Sequence, residues 1–221
     1  MHTLNRCLLA VFVAVLLIAL PAFALQSPLS DESVREAYFL GQRHDGSFAS
    51  LLEKHTKRLR PPKSGPYIAS IAFHTPFVQL VQYSDQYIGN YSAQQAQLDH
   101  RNHQEFIKVQ VQIQLTSTYP AYINDPSGRR VGSSPLLILR PSDFWKDFEV
   151  HIFDGEKVLS PSDSHAHANS SCGRRGPCVL AGATLEFDIP ASAFTSDTAT
   201  IEVIPPQGDA VSVRFDLSSL R

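Results

Sequence analysis

The sequence has no excess of charge of either sign. Its 221 residues carry 19 Lys and Arg side chains against 21 Asp and Glu side chains. Nucleic-acid-binding proteins present a strongly basic surface to the phosphate backbone, so this balance argues against nucleic acid as a partner. The hydrophobic fraction of 43% also excludes a disordered chain, which is too polar to bury a core.

The chain also lacks the short motifs of the common enzyme classes. It contains no G-x-S-x-G nucleophile elbow, no GxxxxGK(S/T) phosphate loop and no GxGxxG dinucleotide fingerprint. Internal repeats and low-complexity tracts are absent as well. These absences argue against an enzyme without excluding one, because a pair of carboxylates at working distance suffices for glycoside cleavage.

The N-terminal two dozen residues carry a targeting signal. Arg6 precedes an apolar stretch over residues 8–20, and Ala-Phe-Ala at 22–24 has the small-x-small pattern of a signal peptidase site. This combination predicts a secretory signal peptide over residues 1–24, with cleavage after Ala24 and a periplasmic or extracellular location. A retained membrane anchor is the alternative, because the apolar run up to Leu25 is barely long enough to span a bilayer.

Cysteine is scarce, with three residues in the chain. Cys7 lies in the predicted signal peptide, which leaves Cys172 and Cys178 in the mature protein. An even pair in an exported protein predicts a disulfide. The bridge would close so short a loop that the chain-entropy estimate is about 2 kcal/mol, enough to pin one loop but not a domain.

The mature chain divides into two predicted parts. Residues 25–64 are expected to form a short helical hairpin and linker, with Ser30 as N-cap and a second helix that ends at Pro61-Pro62. Residues 65–221 are expected to form an antiparallel β-rich domain. Its first two predicted strands are residues 67–74 and 77–83. Ser92-Ala-Gln-Gln95 has the form of a capping box, which predicts a short helix over residues 92–101.

The clearest predicted strand runs from Ile107 to Leu115, where apolar and polar side chains alternate strictly. One face of such a strand must be buried and the other wet. Asp154-Gly155 marks a later hairpin, and Ile201 and Val203 are expected to pair with Val211 to Phe215. These strands predict an antiparallel β-sandwich, immunoglobulin-like in character, preceded by the helical hairpin.

Four segments resemble a group of exported bacterial proteins of unassigned function. They are Arg35-Glu-Ala-Tyr-Phe-Leu-Gly-Gln-Arg43, Gly65-Pro66-Tyr67, Thr75-Pro76 and Asn90-Tyr-Ser-Ala-Gln-Gln95. The resemblance implies a location in the bacterial envelope and carries over no catalytic residue. The closing strands are also similar to an immunoglobulin-type sandwich, a likeness that concerns the fold alone.

The best candidate for chemistry is Asp163-Ser-His165-Ala-His167, in a predicted Ser- and Asn-rich loop. Two histidines two residues apart on an extended segment point to the same side and could bind one metal ion. The alternative is an exposed polar loop stapled by the disulfide. His100 and His103 are expected to cap a helix end, and His74 and His151 to lie at the surface.

Three further groups keep more than one interpretation. The basic residues Lys54, Lys57, Arg58 and Arg60 could contact anionic lipid or cell-wall polymer, or form a solvated helix end. Tyr83, Tyr87 and Tyr91 could face a ligand, or lie partly buried against the sheet. The row Gln110, Gln112 and Gln114 could bind a polysaccharide or a neighbouring strand, face water, or lie beneath the N-terminal helices.

The leading hypothesis is an exported, non-catalytic envelope module that binds or scaffolds an envelope protein or polysaccharide, without a cofactor. One alternative is a metal-assisted hydrolase with His165 and His167 as ligands. Another is an assembly subunit that pairs with its partner through an edge strand.

Overall fold

Two β-sheets and a layer of helices make up the described part of the chain. The computed structural model describes residues 25, 27–87, 91–119, 121–123, 138–139, 143–172 and 178–220. The α-helices are α1 (Asp31–Gly41), α2 (Ser47–Lys54), α3 (Pro76–Gln86) and α4 (Ala93–Asn102). The strands are β1 (Thr56–Arg58), β2 (Pro66–His74), β3 (Phe106–Leu115), β4 (Ala121–Ile123), β5 (Ile138–Leu139), β6 (Glu149–Asp154), β7 (Lys157–Leu159), β8 (Asp163–Cys172), β9 (Cys178–Pro190), β10 (Thr198–Ile204) and β11 (Val211–Asp216).

The larger sheet, seven strands in the described residues, is built around β3 and β9. Its order runs β1, β2, β3, β9, with β8 on the other side of β9. The short strand β4 pairs with the beginning of β9, on the side of β3, and β5 pairs with β4 in parallel. The smaller sheet has the order β11, β10, β6, β7 and is antiparallel throughout. The predicted class, antiparallel β-sandwich with helices, is therefore confirmed.

The main hydrophobic core lies between the two sheets. Ile107, Val109, Val111 and Ile113 of β3 are fully buried, while the residues between them stay partly exposed, as the alternation predicts. Phe73 of β2 stacks on Phe215 of β11 with ring centroids 5.3 Å apart, which joins the sheets directly. The register also confirms the predicted pairing of β10 with β11.

The helices form a second, smaller core. Leu29, Val34, Ala37, Phe77, Val81 and Ala96 are its buried members. Phe48 and Leu51 of α2 pack against this cluster. The apolar faces of the helices are therefore buried mainly against one another. The predicted caps of α1 and α4 are confirmed, since Ser30 and Ser92 each accept a backbone N–H three residues ahead.

The strand predicted over residues 77–83 is wrong, because this segment belongs to helix α3. The Thr75 hydroxyl accepts the backbone N–H of Val78 at 3.3 Å, and Pro76 occupies the first turn, where its missing N–H does no harm. Phe77, Val78 and Val81 are buried at helical spacing. A short apolar stretch fits either period, and the cap with the helical partners decides for the helix.

The second predicted helix is too long. Helix α2 ends at Lys54, and Thr56–Arg58 pairs with β2 as strand β1. The backbone N–H of Phe73 donates to the His55 carbonyl at 2.9 Å, and that of Leu59 donates to Ala69 at 2.9 Å. These sheet hydrogen bonds are long-range, so local helix propensity does not reveal them.

The predicted loop over Asp163–His167 is also wrong, because these residues begin the ten-residue strand β8. Cross-strand pairing with β9 overrides a composition that is typical of loops. Within the described residues, no helix combines the length and apolarity needed to cross a bilayer. The predicted signal peptide over residues 1–24 lies outside the described residues.

Gly41 tests the packing of α1 against α3. A Cβ at this position would meet the Val81 carbonyl oxygen and would lie 2.7 Å from the Ser84 Cβ. Helix propensity alone predicts that Gly41→Ala stabilises the protein by about 1 kcal/mol. We expect instead a loss of roughly 1–3 kcal/mol, because overpacking forces the helices apart. Urea unfolding measures the sign.

Ala49→Gly is the control, since Ala49 is exposed in α2 and reports propensity alone. A stabilised Gly41→Ala variant would contradict the close approach of the two helices.

Candidate functional site

A cleft of about 670 Å³ lies at the end of the sandwich where β2 begins and β3 ends. Helices α3 and α4 connect the opposite ends of the same two strands. Four chain segments form its walls: residues 59–68, Tyr119, residues 147–148 and residues 205–211. This volume is in the range of pockets that enclose a small organic ligand.

The inner walls of the cleft are aromatic and rigid. Tyr67, Tyr119 and Phe148 contribute to its lining, although Phe148 is only 7% exposed because it also belongs to the main core. Proline fixes the backbone angle φ, so walls rich in proline need little ordering when a ligand binds. The four prolines are Pro62, Pro66, Pro205 and Pro206.

The rim of the cleft carries free polar groups of both signs. Arg60, Asp147 and Asp209 are exposed. In the part of the chain that the structure describes, none of these three side chains forms an ion pair or hydrogen bond with another residue. The rim therefore offers a strong donor and two strong acceptors beside an aromatic wall.

The outer face of the larger sheet is covered with polar side chains. The odd-numbered residues of β3 from 107 to 113 fill the core, so the even-numbered ones form a row on the opposite face: Lys108, Gln110, Gln112 and Gln114. Cross-strand hydrogen bonds join this row to its neighbours. They run from Tyr67 Oη to Gln114 Oε1 (3.0 Å), from Ser70 Oγ to Gln112 Oε1 (3.2 Å) and from Gln110 Nε2 to Glu186 Oε1 (2.9 Å).

These contacts decide between the interpretations of the glutamine row. The amides bond to neighbouring strands and keep part of their surface exposed. Tyr67 lines the cleft and also bonds to Gln114, so the row begins at the mouth of the cleft. Tyr67 therefore connects the lining of the cleft to the end of the row.

A charged group ends the row at the helical side. Lys108 Nζ lies 3.4 Å from Glu186 Oε2 and 4.0 Å from Asp188 Oδ1. Partial burial acts to raise the pKa of Glu186, but the hydrogen bond from Gln110 and the charge of Lys108 outweigh it and lower that pKa. The lysine charge is thus compensated within the sheet.

His74, expected at the surface, is buried at the end of β2 and pairs in register with Lys108. Burial lowers the pKa of His74 to about 4, and the neighbouring charges of His55 and Lys108 act in the same direction. The ring is therefore neutral at physiological pH and serves the packing rather than proton transfer.

His165 and His167 lie on the outer face of the edge strand β8, opposite Glu186 and Thr184. His165 Nε2 is 3.0 Å from Asp163 Oδ2, and its side chain is 66% exposed. Among the described residues, no three His, Cys, Asp or Glu side chains are grouped to hold a metal ion. The metal site and the hydrolase built on it remain predictions.

Of the two histidines expected to cap a helix end, one does so and the other binds a carboxylate. His103 Nδ1 donates to the Asp99 carbonyl at 2.6 Å, which confirms a helix cap. His100 Nε2 instead lies 2.8 Å from the Glu105 carboxylate. Glu105 also accepts hydrogen bonds from Ser27 and Leu29, so it ties the chain before α1 to the start of β3. The sequence analysis did not single out this residue.

The tyrosines predicted as a stripe form a cluster on the helical layer. The rings of Tyr83, Tyr87 and Tyr91 have centroids 4.3–5.8 Å apart, and Tyr91 also meets Tyr38 of α1. Tyr83 and Tyr87 remain 40% and 49% exposed. Their ring-to-ring contacts are with one another and with α1, and Tyr91 packs against the smaller core of the helices.

Of the four basic residues, Lys54 lies at a helix end and the other three do not. Lys54 ends α2, Lys57 and Arg58 lie in β1, and Arg60 lies on the rim of the cleft. The Lys57 ammonium sits 5.9 Å from the centroid of the Phe215 ring. Successive residues of a strand point to opposite faces, so Lys57 and Arg58 do not share a patch. Lipid contact remains a prediction.

The predicted disulfide falls on the turn between β8 and β9. The backbone register places Cys172 directly opposite Cys178, while the side chains of both lie outside the described part of the structure.

A comparison with known family models gives no match for this chain, and a comparison with curated proteins gives none either.

His74 gives a pH prediction. The unfolded chain takes up a proton at about pH 6.5 and the folded protein only near pH 4, so stability must fall as the pH falls through this window. We expect the wild-type protein to lose about 3 kcal/mol between these limits from this group. Urea unfolding at several pH values measures the slope, and His74→Gln should flatten it.

His151→Gln, which removes a half-exposed histidine of β6, should leave the slope unchanged. Equal slopes for wild type and His74→Gln would contradict the burial of a neutral ring.

Proposed function

We propose that the protein is an exported, non-catalytic module of the bacterial envelope that binds a neutral polysaccharide in its end cleft. The composition of the cleft carries the proposal: tyrosines and prolines line it, and its exposed charged side chains have no ion-pair or hydrogen-bond partner among the described residues. Export follows from the signal-peptide pattern of residues 1–24 and from the resemblance of four segments to exported bacterial proteins.

Sugars combine two surfaces that this cleft complements. One face of a pyranose ring presents C–H groups, which pack well on aromatic rings such as Tyr67 and Tyr119. Its edge presents hydroxyl groups, each of which donates and accepts a hydrogen bond. Carboxylates can accept from these hydroxyls, and the guanidinium of Arg60 can donate to them.

The charges on the rim favour a neutral sugar over an anionic one. An anionic polymer would meet the carboxylates of Asp147 and Asp209, and Arg60 alone does not outweigh them. The same two carboxylates are exposed to water. A glycosidase general acid needs a site that holds its proton at neutral pH, usually through burial, so we infer binding without cleavage.

A point substitution in the wall tests this function. Tyr119→Ala removes a ring from the cleft, and we expect it to weaken binding roughly tenfold. The measurement is affinity electrophoresis through gels that contain soluble neutral polysaccharides, namely hydroxyethyl cellulose and glycol chitin. Polygalacturonate serves as the anionic comparison.

Tyr83→Ala is the matched control, since Tyr83 is an exposed tyrosine of the helical layer. The proposal fails if no neutral polysaccharide retards the protein, or if both tyrosine variants behave alike. Release of reducing sugar ends during incubation would contradict the absence of catalysis.

Export would bring Cys172 and Cys178 into an oxidising compartment, where a disulfide can form. Residues opposite each other in an antiparallel pair have Cα atoms about 4.5–5.5 Å apart, inside the range of about 4.4–6.8 Å that a disulfide needs. The register of Cys172 and Cys178 thus supports the predicted bridge.

Thiol labelling under denaturing conditions tests the bridge. We expect no labelling of the protein isolated from the periplasm and labelling at Cys172 and Cys178 after reduction. The double variant Cys172→Ser, Cys178→Ser should lose at most about 2 kcal/mol, because the bridge closes a very short loop. Free thiols in the periplasmic protein would contradict the prediction.

A further inference from the structure

We infer that the binding surface continues from the cleft along the glutamine row of β3, so that the ligand is an extended β-1,4-linked glycan chain. The inference rests on the proposed function, because it names the polymer that the cleft would hold. A single sugar would occupy only the cleft, whereas a chain would also lie along the row.

The row has the direction and the length that are needed to bind a polysaccharide chain. Tyr67 belongs to the cleft wall and bonds to Gln114, the first amide of the row. Alternate residues of a strand are about 7 Å apart, so the row from Gln114 to Lys108 measures about 20 Å. A straight strand matches a straight polymer, and β-1,4 linkage produces an extended ribbon, whereas α-1,4 linkage produces a coil.

The amides are oriented and still have donors to offer. Gln114 Oε1 accepts from Tyr67, and Gln112 Oε1 accepts from Ser70. Within the described residues, the NH₂ group of neither amide bonds to the protein, and both side chains are partly exposed. Each can therefore donate to a sugar hydroxyl or acetamido oxygen without losing an existing hydrogen bond.

The side chains beside the row are small. The residues opposite Gln112 are Ser70 on β2 and Thr184 on β9, and Gly182 lies opposite Gln114. A side chain at Gly182 would collide with the Ile113 carbonyl oxygen, so β9 passes close to β3 at this point. Thr184 and Gly182 are buried, whereas Gln112 and Gln114 beside them stay partly exposed.

The chemistry of the row favours a hydroxyl-rich chain over a protein partner. The Lys108 charge at one end is compensated by Glu186 and Asp188, and the exposed Arg58 of β1 lies opposite Ser70. Among the described residues that pair with the row, none has a large aliphatic side chain, and Tyr67 lies at the end of the row. Protein interfaces usually have an apolar or aromatic centre, whereas the centre of this row is polar.

Chain length is the measurement that tests the inference. Isothermal titration uses chito-oligosaccharides and cello-oligosaccharides of two to six units, with maltohexaose as the α-linked comparison. We expect the affinity of the wild-type protein to rise at least roughly tenfold from the dimer to the hexamer of a β-1,4-linked series. An increase in affinity with chain length in only one of the two series identifies the sugar unit. Maltohexaose should bind no more tightly than the β-1,4-linked dimers.

Two variants test whether the rise in affinity with chain length depends on the glutamine row. Gln112→Ala removes a donor of the row that makes no hydrogen bond to the described cleft residues, and Ser70→Trp covers the position beside it. Each should abolish the gain with length and leave dimer binding in the cleft unchanged. Gln94→Ala, an exposed amide of α4, is the matched control and should behave as wild type. Circular dichroism melting confirms that each variant is folded.

The outcomes separate the two claims. If dimer and hexamer bind equally and the row variants change nothing, the inference is overturned while the cleft function stands. If maltohexaose gains as much as the β-linked hexamers, the extended-ribbon argument is wrong. If no saccharide binds, the proposed function fails as well.

Discussion

Strand β3 pairs with β2 on one side and with β9 on the other, and every second side chain along it enters the core. Because a strand alternates, burying one set of residues forces the other set onto the outer face. Isoleucine and valine on the inner face thus put Lys108 and the glutamines on the outer one. The polar row follows directly from the packing of the sandwich and ends beside the cleft.

The cleft has a different origin, since loops and the ends of strands form it. Its walls are the loop before β2, the turn after β3, the segment before β6 and the β10–β11 turn. These segments meet because the two sheets end together. The strands hold the loops at fixed separations, and prolines stiffen the loops themselves. A rigid scaffold with polar loops suits recognition of a ligand without rearrangement.

Tertiary contacts that no local pattern reveals explain most of the errors in the sequence analysis. Residues 77–83 are apolar enough for a strand, and only the cap by Thr75 and the partners of α1 decide for a helix. Thr56–Arg58 and Asp163–His167 show the opposite case, in which pairing with a distant strand overrides local composition. Propensity differences are small compared with the free energy of such tertiary contacts.

The sequence by itself determined what depends on near neighbours: the alternation of β3, the Asp154-Gly155 hairpin, the β10–β11 pair and the caps at Ser30 and Ser92. Each needs only a few consecutive residues. Tertiary structure alone decided the rest, namely the edge strands, the buried His74 and the cleft. Tyr67, Tyr119 and Asp209 lie far apart along the chain, and only sheet packing brings them together, so no local pattern identifies them as one surface.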